Sequence, residues 1–263
     1  MHDTLNHALK CLRLSGLRTT LDTRLQEAAA NRLDHAEFLE LLLQDELNVR
    51  ADRQFNRHLK AASFPALKTL DQFDWTFNEG IDRRRVFDLA ASQFIRNRED
   101  ILFLGPPGVG KTHLAVAIGQ QAVRSGFTVY YRSVFDLVRD FLEDEAFDAR
   151  SGTLNRYLRP DLLIIDDMGL KQLPRNSAEY LLELVVRRHE NRSTIMTSNR
   201  PIEDWGRLVG DVPAAGAILD RFLQHAAIFT ITGRSYRLKG RTNLTMPAAA
   251  EPPAPTKKEA KAK

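Results

Sequence analysis

At the start of the chain apolar residues recur every three or four positions: Leu5, Leu9 and Leu12, then Leu17, Leu21 and Leu25, then Phe38, Leu39, Leu42 and Leu43. That spacing places each set on one face of a helix, so residues 1–60 read as three helices. Asp34, with Glu37 three places on, gives the third a capping-box start. Further along the pattern changes. Residues 101–104 and 162–165 are short runs with no polar interruption, as parallel strands buried on both faces show. Residues 127–131 and 193–199 are further β-type runs, while 82–98, 113–124, 134–157 and 215–225 read as helices. The expected fold class is α/β, a parallel sheet flanked by helices and preceded by a small all-α domain.

Chemistry is concentrated where the apolar runs stop. The run 101–104 leads into Gly105-Pro106-Pro107-Gly108-Val109-Gly110-Lys111-Thr112, a complete G-x-x-x-x-G-K-[ST] phosphate-binding loop between a strand and a helix. Glycines let the backbone wrap an anion, the loop amides and helix N-terminus supply positive dipoles, and Lys111 adds a point charge. Thr112 is the expected Mg²⁺ ligand. The run 162–165 ends in Asp166-Asp167, the form of a Walker B element. In that reading Asp166 holds Mg²⁺ and Asp167 orients the attacking water, because phosphoryl transfer needs positioning and charge neutralisation above all. The bland alternative is a pair of capping aspartates. Asn199 ends the run 193–199, where it could face a γ-phosphate or simply form the turn before Pro201. Arg221 falls on the polar side of the helix 215–225, as many solvated arginines do.

The order phosphate loop, acidic strand end, Asn strand end and helical Arg resembles the AAA+ ATPases. Within them the chain is most similar to the initiator and helicase-loader clade, and especially to the IstB-like helper ATPases of insertion sequences. The likeness spans residues 5–240 and rests on Leu12-Arg13-Leu14-Ser15-Gly16-Leu17, Phe64-Pro65, Lys68-Thr69-Leu70, Phe73-Asp74-Trp75, Asp166-Asp167-Met168-Gly169, Thr197-Ser198-Asn199-Arg200 and Gly233-Arg234-Ser235-Tyr236-Arg237. The resemblance implies that Gly105 to Thr112 bind ATP with Mg²⁺, that Asn199 is sensor 1, and that Arg221 is an arginine finger acting across a subunit boundary in a homo-oligomer. It implies an ATPase that assembles on double-stranded DNA and regulates the transposase of the same element. A DnaC-like replicative helicase loader is the alternative within the clade, and a small-metabolite kinase the alternative outside it. The chain departs from the pattern twice. Asp167 stands where many AAA+ enzymes carry Glu, and 42 residues after Arg221 leave no room for a separate C-terminal lid domain, so Arg237 stands in for sensor 2.

Composition adjusts this picture only slightly. A single cysteine excludes an internal disulfide, and with no leader and no apolar stretch long enough to cross a membrane the expected place is the cytoplasm. Cys11, beside Leu9, Leu12 and Leu14, reads as a small core residue. The net charge of +4 is modest, so DNA binding depends on where charge sits. Residues 1–60 hold nine basic and nine acidic residues, yet Arg50, Arg53, Arg57 and Lys60 share one face of the third helix. The stretch 134–157, where the initiator clade carries a DNA-touching helix, mixes Arg139, Arg150 and Arg156 (with Arg159 just beyond) with Glu143, Asp144 and Glu145. Phe64, Phe73, Trp75 and Phe77 in the connector are expected to pack in the core rather than stack on a base. The expected domains are 1–62, helical; 63–240, ATPase with its connector; and 241–263, a disordered basic tail rich in Pro, Ala and Lys.

Overall fold

Strands buried on both faces organise the molecule. In a computed structural model, which describes residues 3–78, 80–146, 150–174 and 177–239, side chains of successive strand residues enter two different cores. Ile101, Phe103, Ile164 and Ile195 face one layer of helices; Leu102, Leu163, Ile165 and Met196 face the other.

Three helices lead: α1 (Asp3–Cys11), α2 (Ser15–Asn31) and α3 (His35–Ala61). The capping box of α3 forms as expected, Asp34 Oδ1 accepting from Ala36 and Glu37 N and Glu37 Oε2 from Asp34 N. The stripes are only partly covered. Leu9, Leu17, Leu21 and Leu42 are buried, whereas Leu5, Leu12, Leu25, Leu39 and Leu43 are exposed. Cys11 is also exposed, contrary to expectation, because α1 is short and lies on the outside of α2. Buried Glu46 closes the start of α2, accepting from Gly16 N at 2.7 Å and Leu17 N at 3.2 Å while pairing with Arg50. The C-terminal half of α3 joins the sheet core that holds Ile101 and Phe103, with Phe55 and Leu59 against it and Ala62 O accepting from Tyr131 N at 2.8 Å.

The expected single helix 82–98 is two, α4 (Arg83–Ala90) and α5 (Gln93–Asn97), broken where Ser92 takes φ 61°. There follow β1 (Asp100–Leu104), α6 (Lys111–Arg124), β2 (Val129–Ser133), α7 (Val134–Ala146), α8 (Arg150–Leu158), β3 (Leu162–Met168), α9 (Ser177–Arg188), β4 (Ser193–Ser198), α10 (Trp205–Val209), α11 (Val212–Leu223) and β5 (Ala226–Thr230). The stretch 134–157 is thus two helices, and the side chains of Glu145 and Arg150 lie outside the described residues, as does the tail 241–263. All strands are parallel in the order β2-β3-β4-β1-β5. β1 is interior, and the C-terminal ends of β1, β3 and β4 lie side by side, where open α/β sheets bind ligands. Among the described residues only a short 3₁₀ turn, Tyr236–Leu238, follows β5.

At the opposite end of the strands two ionisable side chains, Arg188 and Asp100, are buried. Arg188, 2% exposed, donates to the carbonyls of Tyr157, Pro160 and Ser193 and to Thr194 Oγ1, stapling the end of α8 to the start of β4. Asp100 accepts from Thr194 N at 2.6 Å. Burial pushes Asp100 up to about 7, although that hydrogen bond and Arg188 oppose it, and pulls Arg188 down to about 9. An acid raised in the folded state stabilises fully below its unfolded pKa and loses that contribution as pH rises to its folded pKa. Stability should therefore fall between about pH 4 and pH 7 and level off above. Urea midpoints of Asp100→Asn, followed across this range, should lack that fall.

Candidate functional site

The loop after β1 is shaped by contacts that only glycine accepts. Gly108 has φ 83° and a Cβ there would lie 2.0 Å from Ser235 Oγ; Gly110 has φ 108° and a Cβ would lie 2.6 Å from the Phe73 ring. Gly110 is also the residue before α6 and offers no side-chain cap, which leaves the first amides of α6 for an anion.

Lys111, the first residue of α6, is 6% exposed and its Nζ donates to Gly105 O at 2.7 Å, Pro106 O at 2.8 Å and Asn199 Oδ1 at 2.6 Å. Burial lowers its pKa to about 8, against the pull of Asp166 and Asp167. The Lys111 contact brings Asn199 from the end of β4 to the phosphate loop, the first joining of two sequence-predicted residues. Thr112 and Asp166 are the second pair, Oγ1 to Oδ1 at 3.0 Å. These are hard oxygen donors, one hydroxyl and one carboxylate beside a phosphate loop, and they fit a Mg²⁺ ion carried with a nucleotide.

Asp166, 1% exposed, also accepts from Thr197 Oγ1 and from Tyr131 OH, the latter at 2.6 Å. Tyr131 on β2 was not legible as a site residue; only the parallel register of β2 on β3 brings it there. Its phenol is held well above the usual range by burial and the carboxylate beside it. Tyr131→Phe removes a charge-assisted bond and should lower unfolding stability by about 2 kcal/mol, read as a shift in urea midpoint at constant slope.

Asp167 follows in the left-handed region at φ 63°, an unfavourable conformation for a non-glycine residue and one that clusters at functional sites. Its N–H donates to Thr197 Oγ1 at 3.1 Å, and β3 shifts register against β4 here, so the carboxylate turns to the cleft mouth. Burial and then Asp166 raise its pKa.

A cleft of about 220 Å³ runs from the loop to Asp167 and Asn199. Its other wall is a strap made from two distant segments. Phe77 meets Tyr236 edge-on at 5.0 Å, Asn78 bonds both the N and O of Arg234, and Lys239 pairs with Asp74 at 2.6 Å. Phe64 and Trp75 pack against the core as expected; Phe73 does so too, but with Phe77 also lines the cleft. Arg237 lines it as well and acts electrostatically on Asp167 and Lys111. Arg221 does not reach this cleft. It is exposed on α11, which packs on α9 and α10, and it makes no ion pair among the described residues.

The sequence profile of the family of IstB-like ATP binding proteins matches residues 7–244. The chain belongs to that family. It is 40% identical over 239 residues to the insertion sequence IS21 ATP-binding protein of Pseudomonas aeruginosa, covering 91% of this chain and 90% of that one. It is 40% identical over 212 residues to the IS5376 ATP-binding protein of Geobacillus stearothermophilus, covering 81% and 84%. Among solved structures, the DnaC helicase loader superposes with TM-score 0.51 at 21% identity, over 66% of this chain and 98% of that one. AMPPCP-bound DnaA from Aquifex aeolicus gives 0.53 at 21%, over 64% of this chain and 51% of that one. The fold is therefore the AAA+ fold of these initiators and loaders. No helix among the described residues is long and apolar enough to cross a membrane.

Proposed function

We propose that this protein is an ATPase that assists DNA transposition: it assembles on double-stranded DNA with ATP between subunits and regulates the transposase of its own element. The observation that carries this reading is the split site. Pro107 to Thr112, Asp167 and Asn199 line one cleft, with Asp166 bonded to Thr112 beneath it, while Arg221 stands exposed outside that cleft, available to a second copy.

In this reading Lys111 leaves the Gly105 and Pro106 carbonyls to bind the β- and γ-phosphates, and the loop amides hold the same oxygens. Thr112 and Asp166 hold Mg²⁺, which supplies neutralisation of phosphate charge, and Tyr131 and Thr197 fix the Asp166 carboxylate. Asp167 takes the proton of the attacking water; its raised pKa suits a base better than an ordinary aspartate would. Asn199 orients that water, Arg237 faces the γ-phosphate in cis, and Arg221 of a neighbouring copy faces it in trans. Hydrolysis removes the group both copies hold, which dissolves the assembly.

DNA contact is assigned to α3. Arg139 and Arg156 are ion-paired with Asp136 and Asp140, whereas Arg57 and Lys60 are exposed and unpaired among the described residues. Arg50 and Arg53 are held by Glu46 and by Ser15 Oγ, which fixes the face. Contacts to backbone phosphates make binding salt-sensitive and weakly dependent on sequence.

A DnaC-like loader is the second reading, favoured by the superposition over 98% of the DnaC chain. Sedimentation with double- or single-stranded DNA and with ATP, ADP or no nucleotide separates them. Large particles formed on duplex DNA only with ATP support the helper; a preference for single strands supports the loader.

A further inference from the structure

The end of the sheet remote from the phosphate loop carries a cluster that the nucleotide site does not use. His189 and Glu190 form the turn after α9, and His225 precedes β5, its carbonyl accepting from Asp100 N at 3.1 Å. One ligand atom from each of the three lies within 4.8 Å of the other two. His225 Nε2 is 3.4 Å and His189 Nε2 is 3.8 Å from the same oxygen, Glu190 Oε1.

We propose that His189, Glu190 and His225 bind one divalent ion of the zinc class. With Zn–N and Zn–O bonds of about 2.0–2.2 Å, the edges of a tetrahedron of ligands are about 3.3–3.5 Å. Two of the three edges are already within a few tenths of an ångström of that range. The third, between the two imidazole nitrogens, closes by rotation of His225, whose side chain is 44% exposed. The two rings stack at 5.7 Å and 19°.

The surroundings keep the ligands available. Glu190 sits at φ 58°, and Arg98 Nη1 donates to its backbone carbonyl at 3.1 Å. Among the described residues its carboxylate pairs with no lysine or arginine, only with the two histidines. Glu190 and His225 are exposed, which leaves a fourth position to water. Two imidazoles and one carboxylate favour Zn²⁺ and its neighbours over Mg²⁺, which prefers an all-oxygen shell. Bound there, the ion ties the turn after α9 to the second residue after α11, four positions beyond Arg221. The site would brace the helix end that carries this arginine, but its metal binding does not depend on any role for Arg221.

The test uses the full chain with Cys11→Ser, because Cys11 Sγ lies 3.5 Å from His7 Nε2 and offers a second soft site. Titration with Co²⁺, read by its visible absorption and by calorimetry in excess Mg²⁺, should show one equivalent that Zn²⁺ displaces. Zn²⁺ at a hundredfold excess over its Kd should raise the melting temperature by roughly 5 °C or more. His225→Gln and Glu190→Gln, both at exposed positions, should keep the circular dichroism and ATP affinity of the parent and lose the bound equivalent and the shift. Variants that bind Co²⁺ and Zn²⁺ as the parent does would overturn the proposal, and so would a parent that binds neither stoichiometrically.

Discussion

Lys111→Ala should reduce affinity for ATP by about a hundredfold or more, or ~3 kcal/mol, measured by titrating a fluorescent ATP analogue. The ammonium is the one cation built into the loop, and alanine cannot replace its charge. The parent protein should also show a pH signature that the variant lacks. Burial holds Lys111 near 8 before nucleotide binds, so it loses its proton as pH rises through that value. Phosphate favours the charged form. Binding above about pH 8 must therefore take up a proton, and affinity falls as pH rises further. Calorimetry in buffers of different ionisation heat reads this uptake directly. An unchanged proton balance between parent and Lys111→Ala would contradict the role given to the lysine.

Arg221→Ala should leave ATP affinity within about threefold, because the arginine lies outside its own cleft, yet lower turnover in the DNA-bound assembly by on the order of 10³. The contrast between the two variants carries the meaning. Lys111 acts on the nucleotide its own chain binds; Arg221 acts on a neighbour's. A loss of affinity in Arg221→Ala as large as that in Lys111→Ala would place the arginine in cis.

How much of this was visible beforehand follows the range of the interactions. The phosphate loop was legible because eight consecutive residues encode it, and its strand and helix stand on either side in sequence. β3 with its aspartates was legible for the same reason, as an apolar run that ends in charge. Tyr131 was not, since its bond to Asp166 spans 35 positions and exists only through the β2–β3 register. The strap was half visible: Asp74 and Tyr236 both stood in the motifs that carry the resemblance, but no spacing rule says that segments 156 residues apart will meet as Asn78 and Arg234 do. The helical stripes overstated burial, because periodicity marks a face and packing decides how much of it is covered. Leu21 and Leu42 lie between packed helices, while Leu25, one turn on from Leu21, and Leu43, next to Leu42, emerge into solvent. The break at Ser92 escaped because the residue adopts a left-handed conformation that its type does not announce.

The central claim is that one ATP is completed by two chains, and mixing the two variants tests it most directly. At an ATP concentration that fills only the unimpaired site, Lys111→Ala retains Arg221 but is left empty; Arg221→Ala binds ATP but lacks the arginine. With duplex DNA and Mg-ATP, each alone should be inactive in phosphate release. Combined, they should recover a substantial fraction of parental turnover, rising and falling with their ratio. A mixture as inactive as its components, with both present in the same particles by sedimentation, would contradict the shared site.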